Sequence, residues 1–290
     1  MHDDARPAPD QPTQHQEAPT VEEPTQGTPP EPDEMAAAEP ELSIVIPAYN
    51  EAELIEQTIK AVGDFVAERK LAAEVIVVDD GSEDGTADLA ERAMRQVGLQ
   101  GRVLRQRPNA GKGQAVNRGM LQARGKLVLM TDADLSTPLA EYDKLAQAIA
   151  EGADIAIASR ALPGARLEPP QPWWRQSIGK LYGWVRRQIL LPAIIDSQCG
   201  FKLFTREAVQ ATFPRQTVFG WAFDAEILHL AQLLGFRIAE LPVVWHNRRE
   251  SKVRVLRDAP KVLRDLITIR RRHRDLERQA RTRNSEGRDA

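Results

Sequence analysis

The chain has 290 residues, 42% of them apolar, enough for one large core or two smaller ones, and its formal net charge is −3. Its one cysteine, Cys199, excludes an internal disulfide and a thiolate metal cluster, and no stretch approaches the roughly eighteen to twenty continuous apolar residues of a bilayer-spanning helix. The charge is unevenly placed: residues 1–41 hold eleven acids and one arginine, so residues 42–290 carry +7, and residues 245–290 alone have fifteen Lys/Arg against seven Asp/Glu. A basic folded part points to phosphate-bearing or anionic partners.

Residues 1–41 contain nine of the twenty prolines and no aromatic residue. Such a segment cannot bury enough apolar surface to offset its ordering entropy, and a disordered tail is expected. It has neither the basic start nor the apolar run of a signal peptide, and a lone cysteine fits a reducing, cytosolic setting.

From residue 42 short apolar runs alternate with helical patterns. Strands are expected near 43–47, 74–79, 102–106, 126–131 and 154–158, and helices near 51–69, 85–97, 112–123 and 138–150. This is βαβ arithmetic, hence an α/β fold with a mostly parallel central sheet flanked by helices. Residues 162–172 read as a Pro/Gly-rich loop, followed by a helix over 173–191 with Trp174, Ile178, Leu181 and Val185 at helical spacing beside Arg175, Lys180, Arg186 and Arg187. A strand over 238–244 precedes a second basic helix over 257–278, with Val262, Leu263, Leu266 and Ile267 beside Lys261, Arg264 and Arg270-Arg271-Arg272. Either helix taken alone could pack on the sheet with solvated arginines; two of them favour lying in a membrane interface. The division expected is a tail over 1–41, a catalytic domain over 42–255 and a basic amphipathic helix with a disordered end over 256–290.

Three strands end in polar loops: Pro47-Ala48-Tyr49-Asn50-Glu51 after the first, Asp79-Asp80 after the second and Asp132-Ala133-Asp134 after the fourth. Ligands of open α/β sheets sit at the carboxyl ends of strands, so these loops line one crevice. Two carboxylates one residue apart suit a hard divalent cation, Mg²⁺ or Mn²⁺, bridging the oxygens of a diphosphate, with Asp134 as a ligand and Asp132 a second candidate. An isolated Asp-x-Asp is common by chance; its position at a strand end gives it weight. Tyr49 can stack on a base, Glu51 can accept from it, and Asp79 or Asp80 can bond a base or ribose edge, although Glu51 is also an early-helix acid and Asp84 the expected N-cap of the helix that follows Asp79-Asp80. Asn109-Ala110-Gly111-Lys112-Gly113 is not a P-loop, since the first glycine and the hydroxyl position are missing, but a glycine-opened helix carrying Lys112 can still face phosphate. The GxGxxG fingerprint is absent. Asp224 stands at a helix start, and Arg248, Arg249 and Lys252 cluster in a loop suited to phosphate.

Ser43 to Glu51, Val77-Val78-Asp79-Asp80-Gly81-Ser82 and Asp132-Ala133-Asp134-Leu135 resemble the successive signatures of family 2 inverting glycosyltransferases of the GT-A fold. Asp196-Ser197-Gln198-Cys199-Gly200-Phe201-Lys202 and Trp221-Ala222-Phe223-Asp224 are similar to the dolichyl-phosphate β-glucosyltransferases within it. The resemblance covers residues 42 to about 270. It implies a UDP-glucose donor, a polyprenyl phosphate acceptor and a β-linked glycosyl phospholipid product, with no nucleic acid partner. Carried over by position, Pro47, Ala48, Tyr49, Glu51, Asp79, Lys112, Asp132 and Ala133 would bind the nucleotide sugar, and Asp134 would hold the metal. Ser136 stands where related mannosyltransferases have a metal-touching glutamine. Arg160, Arg175, Arg248, Arg249 and Lys252 match positions that meet donor or acceptor phosphates, with Asp132, Asp134, Arg160 and Lys252 the catalytic candidates and Asp224 a candidate in the acceptor site. Eukaryotic members carry an N-terminal membrane anchor where this chain has its acidic tail, so association with the cytoplasmic face of a membrane would be peripheral, through the two basic helices. The alternatives left open are another nucleotide-sugar donor or a soluble acceptor, and a non-catalytic, membrane-docked nucleotide-binding module.

Overall fold

Alternate residues of each apolar run face opposite sides of one sheet, and each side is a hydrophobic core of its own. Val45, Ile76, Val78, Val128 and Met130 enter one core; Ile44, Ile46, Val75, Val77 and Leu129 enter the other. Period-two alternation with both sides covered is why these strands read as unbroken hydrophobic runs. The computed structural model describes residues 39–168, 173–246 and 255–286, without the side chains of 173–178, 180, 255–260 and 283–286. The tail over 1–38 and the loop with Arg248, Arg249 and Lys252 lie outside the described residues, as does the side chain of Arg175.

The strands are β1 (Leu42–Ala48), β2 (Ala73–Asp79), β3 (Gly101–Arg105), β4 (Leu127–Met130), β5 (Ile155–Ser159), β6 (Arg166–Glu168), β7 (Lys202–Thr205), β8 (Ile238–Pro242) and β9 (Val244–His246). The helices are α1 (Ile55–Arg69), α2 (Thr86–Gln96), α3 (Lys112–Gln122), α4 (Tyr142–Ala150), α5 (Trp173–Ile189), α6 (Arg206–Thr212), α7 (Phe223–Leu234), α8 (Val255–Arg272) and α9 (Arg274–Glu286). The main sheet has the order β3-β2-β1-β4-β7-β5-β8, with every pairing parallel except the two made by β7. Helices α1, α2 and α4 cover one side through Ile59, Phe65, Met94 and Leu145. Helices α3, α6, α7 and α8 cover the other through Val116, Val209, Leu228, Leu266 and Ile269. Helix α3 lies close on β1 because Gly119 has no side chain; a Cβ there would stand 2.4 Å from Val45 Cγ1.

The expected mostly parallel sheet is present. Strand β7, unforeseen from sequence, is antiparallel, so its first residue Lys202 pairs with Met130 and Ile157 at the edge where β4 and β5 end. Other departures are local. Helix α1 starts at Ile55 after a turn, and α4 is preceded by a 3₁₀ turn over Leu139–Glu141. The segment read as a loop over 162–172 contains β6, which pairs with β9 in a separate parallel ribbon. The helix expected over 257–278 is two helices that meet at His273, whose imidazole Nε2 lies 2.7 Å from the carboxylate of the fully buried Glu226. No helix of the described residues is long and apolar enough to cross a membrane.

Candidate active site

The ends of β1, β2 and β4 and the start of β7 lie at one edge of the sheet, and hydrogen bonds between their loops build a crevice there. The loops after β1 and β2 are stitched together: Asn50 N donates to Ser82 Oγ (2.9 Å), Glu51 N to Thr86 Oγ1 (2.9 Å), Ala52 N to Asp84 Oδ2 (3.0 Å) and Glu83 N to Asn50 Oδ1 (3.1 Å). Asn50 takes a left-handed φ of 51°, which an asparagine accepts more readily than most residues. This stitching sets Tyr49 at the surface, 42% exposed, beside Glu51. Asp79 is buried and accepts from Ser82 N (3.2 Å). The cap position of α2 is Gly85, not Asp84 as expected from sequence. Asp84 nonetheless accepts from Thr86 N in the first turn (3.1 Å), and its second oxygen ties the two loops.

Asp80 does different work from its neighbour. Its buried carboxylate accepts from Gln106 Nε2 (2.8 Å), Ala110 N (2.8 Å) and Gly111 N (2.9 Å), which orders the loop leading into α3. Two amides at the mouth of that helix are thus taken by an internal carboxylate, and the group that reaches the crevice is the Lys112 side chain. Its Nζ donates to Asp132 Oδ1 at 2.6 Å. Burial works to lower the pKa of this ammonium, and Asp132, Asp224 and Asp134 outweigh it, leaving the pKa raised and the lysine charged.

The acidic loop after β4 is held from several directions. Asp134 Oδ1 accepts from Ser136 N (2.9 Å), Thr58 Oγ1 donates to Ala133 O, and the carbonyl of the buried Ser136 accepts from His246 N of β9 (2.6 Å). Leu135 has a φ of 47°, a costly conformation for a branched apolar residue, and one that recurs where a loop must aim functional groups. Asp132 Oδ2 lies against the backbone of Gly200, where a Cβ would be 2.0 Å away. Among the described residues no three His, Cys, Asp or Glu side chains converge. A divalent cation at this loop would therefore take oxygens from Asp134 and Asp132 and complete its shell with donor phosphate oxygens and water, which suits Mg²⁺ or Mn²⁺.

Behind the loop, Lys202 Nζ donates to Asp224 Oδ1 (2.6 Å) and to Cys199 O (2.6 Å), with both charged residues buried. Burial raises the Asp224 pKa, Lys202 and Lys112 oppose that, and Asp132 adds to it. Asp132, Lys112, Asp224 and Lys202 so form a group of alternating charge running inward from the crevice. Arg160, one residue beyond β5, grips Asp196 with two parallel bonds, Nε to Oδ2 at 2.7 Å and Nη2 to Oδ1 at 3.0 Å, and its guanidinium carbon lies 5.6 Å from the Trp245 ring centroid. Burial opposes the charge on Arg160, but Asp196 raises its pKa; the Asp196 carboxyl, pushed up by burial, is held far below the usual carboxylate range by Arg160. The segment carrying Asp196 is itself fixed: Glu240 accepts from Ile195 N (2.8 Å) and Asp196 N (2.7 Å), and Arg186 donates to Ser197 Oγ (2.6 Å) and to the carbonyls of Ile194 and Ile195.

The structure so brings Pro47, Ala48, Tyr49, Glu51, Asp79, Lys112, Asp132, Ala133, Asp134, Ser136, Arg160 and Asp224 to one edge of the sheet or to loops bonded to it. The sequence offers Asp80 as readily as Asp79 for a base or ribose, and the structure instead commits the Asp80 carboxylate to Gln106, Ala110 and Gly111; Lys202, Gly200, Asp196 and Trp245 have no role assigned from sequence, and Arg186, expected on the solvated flank of a helix, is 1% exposed. The signal for Lys202 is a lysine opening the apolar run Leu203-Phe204; Arg186 carries none, because a buried and a solvated arginine look alike in a helical pattern.

Comparison with known proteins agrees with this architecture. The family model described as glycosyl transferase family 2 matches residues 43–213. The chain is 36% identical to the dolichyl-phosphate beta-glucosyltransferase of Dictyostelium discoideum, over 80% of this chain and 74% of that protein. It is 33% identical to the Homo sapiens protein of the same name, over 80% of this chain and 76% of that one. Among solved structures, glucosyl-3-phosphoglycerate synthase from Mycobacterium tuberculosis in complex with Mn²⁺, UDP-glucose and glycerol 3-phosphate superposes with a TM-score of 0.59 at 21% identity, covering 80% of each chain, which speaks to the fold alone.

Proposed function

Because the chain belongs to glycosyl transferase family 2, we propose that this enzyme transfers glucose from UDP-glucose to a polyprenyl phosphate, with inversion, giving a β-linked glucosyl phospholipid. The observation that carries this reading is the meeting of Asp132, Asp134 and Lys112 at the end of β4, in a chain whose curated relatives bear the name dolichyl-phosphate beta-glucosyltransferase. Tyr49, Glu51 and Asp79, on loops pinned to one another, hold the uridine end, with Pro47 and Ala48 forming the strand end beneath. Asp134, steadied by the Ser136 amide, and Asp132 hold the divalent cation, which when bound neutralises charge on the departing diphosphate. Lys112 lies beside Asp132 and adds a second positive charge where UDP leaves.

A phosphate monoester with a second pKa of about 6 is already ionised at neutral pH, so the acceptor needs no strong general base. Its oxygen attacks the anomeric carbon from the face opposite UDP; the new C–O bond forms as the bond to UDP breaks, and no proton moves. Arg160 positions that phosphate, aimed by Asp196 on one side and Trp245 on the other, with Arg175, Arg248, Arg249 and Lys252 as its further cationic partners. Asp224 holds Lys202 and Lys112 in register and does not act as a base. A polyprenyl acceptor keeps the enzyme at a membrane surface as a peripheral protein.

The deciding experiment incubates the protein and a short-chain polyprenyl phosphate with UDP-glucose, UDP-galactose, UDP-N-acetylglucosamine or GDP-mannose, with Mg²⁺ or EDTA, and looks for glycolipid by mass spectrometry. A glucosyl lipid made only with metal, and lost in Asp134→Ala, is expected. Release of UDP with soluble acceptors and no lipid product from any donor would overturn the polyprenyl acceptor, and a different sugar in the lipid would overturn UDP-glucose.

A further inference from the structure

Lys112 is flanked by two glycines, and both rest against one carbonyl. A Cβ on Gly113 would stand 2.6 Å from Phe219 O and a Cβ on Gly111 3.3 Å from the same atom, so the backbone around Lys112 is seated on the segment before α7. Gln216 ties that segment to α3: its Nε2 donates to Gly113 O (3.2 Å) and Val218 O (3.0 Å), and its Oε1 accepts from Asn117 Nδ2 (3.0 Å). Asp80 is one anchor of the mouth of α3, and residues 216–219 are a second.

Residues 216–219 belong to no helix or strand, and the groups that hold Thr217 and Val218 are side chains. Glu226, fully buried, accepts from Thr217 N (2.9 Å) and Val218 N (2.7 Å) through Oε2, and from Thr217 Oγ1 (2.6 Å) and His273 Nε2 (2.7 Å) through Oε1. A carboxylate has about four acceptor sites, and all of them are taken. It cannot donate, so the imidazole proton of this bond sits on Nε2. His273 stands between α8 and α9, and its neighbour Arg272 donates to Thr217 O (2.9 Å). Three residues along α7 the pairing repeats with the partners exchanged, His229 Nε2 lying 3.4 Å from Glu277 of α9.

We propose that Glu226 and His273 are positioning residues of the donor site, which act through residues 217–219 on Lys112 and make the junction of α8 and α9 part of the machinery that receives the diphosphate. The contacts are consecutive: His273 to Glu226, Glu226 to Thr217 and Val218, Phe219 to Gly111 and Gly113, and Lys112 to Asp132. A carboxylate that only joined α7 to the C-terminal helices would not spend three of its four bonds on Thr217 and Val218. Glycine on both sides gives the backbone at Lys112 little stiffness of its own, so the place of Nζ depends on what those glycines lean on. Loss of the His273 bond leaves Glu226 Oε1 short of a donor, and the carboxylate and the loop bonded to it shift together. The role rests on the proposed function as far as the donor, a UDP-sugar, and not on the acceptor.

The test measures UDP affinity by isothermal titration calorimetry with Mn²⁺ present, on full-length variants whose melting curves show them folded at the temperature used. His273→Leu should bind UDP roughly five- to thirtyfold more weakly. His273→Gln, whose amide again offers Glu226 an N–H, should recover most of the loss. In a Lys112→Met background His273→Leu should have no further effect, because the residue it acts through is gone. Arg272→Ala, which removes the exposed bond to Thr217 O, should weaken UDP binding in the same direction, and it decides the matter if His273→Leu does not fold. Unchanged UDP affinity in folded His273→Leu, or in Arg272→Ala where His273→Leu is unfolded, would overturn the role. An equal loss with and without Lys112 would overturn it too, since that marks a merely structural residue. A parent chain that binds UDP and makes no glucosyl lipid would remove the proposed acceptor and leave the coupling standing. Glucosyl lipid from the parent, with His273 variants that bind UDP normally, would do the reverse.

Discussion

Lys202 Nζ lies 2.6 Å from Asp224 Oδ1, and the side chains on the two sides of this bond are 2% and 9% exposed. The pair exists because an antiparallel strand opens at the edge where its parallel neighbours end, so that a strand's first residue meets a helix's first turn. Removing one partner leaves an uncompensated buried charge, which costs roughly 3–5 kcal/mol, whereas removing both costs much less than the sum. Lys202→Met and Asp224→Leu should each be strongly destabilised in urea denaturation, and the double variant should recover much of the loss. Additive losses would show that the two charges are not coupled.

Gly200 gives Asp132 its place. A Cβ at Gly200 would stand 2.0 Å from Asp132 Oδ2, so Gly200→Ala must push the carboxylate aside. Overpacking of this kind costs about 1–3 kcal/mol, and the carboxylate is the part free to give way. The expected result is a folded protein with a higher metal requirement and a lower kcat; unchanged metal dependence would mean that Asp132 does not approach the cation.

Asp80 is a structural carboxylate that orders the loop leading into α3. Asp80→Asn loses an acceptor for one of the Ala110 and Gly111 amides and should cost about 1–3 kcal/mol. Because the loop it orders delivers Lys112, KM for the nucleotide sugar should rise more than kcat falls. A variant with normal KM would separate the loop from donor binding.

The Arg160–Asp196 pair should be visible in the acid limb of stability. The folded Asp196 pKa is lowered from its ordinary value, so its contribution is present above the unfolded carboxylate pKa of about 3.9 and is lost as pH falls through the folded value. Thermal melting of the parent chain should therefore fall between about pH 5 and pH 3 more steeply than that of Asp196→Asn, which lacks the titrating group. Parallel curves would assign the acid sensitivity elsewhere, for instance to Glu74, whose pKa burial raises but Ser43, Arg124 and Arg102 lower more.

Much of the crevice is legible in the sequence because strand-end chemistry is local. Asp79 follows an apolar run directly, and Asp132 and Asp134 come within four residues of the end of another; a run that ends in carboxylates places them at the edge of the sheet. The two members of Asp79-Asp80 are indistinguishable in sequence, and their division of labour appears only when Ala110 and Gly111, about thirty residues away, are seen to spend their amides on Asp80. The helix over 257–278 shows the same limit. Its 3.6-residue period is clear, but the chain breaks helix at His273, whose imidazole meets Glu226, on a helix far back in the chain.

The sequence by itself determines the alternating α/β order, the buried strands, the acidic loop and the two basic helices, all of which are properties of neighbours within a few turns or strand residues. Only the tertiary structure decides that β7 runs backward and delivers Lys202, that Gly200 makes room for Asp132, that Asp196 takes one edge of Arg160, and that Arg186 points inward while Trp184 points out. Each of these depends on the approach of residues distant in the chain, where the energy of a buried charge is set by its partner and not by its own position in a pattern.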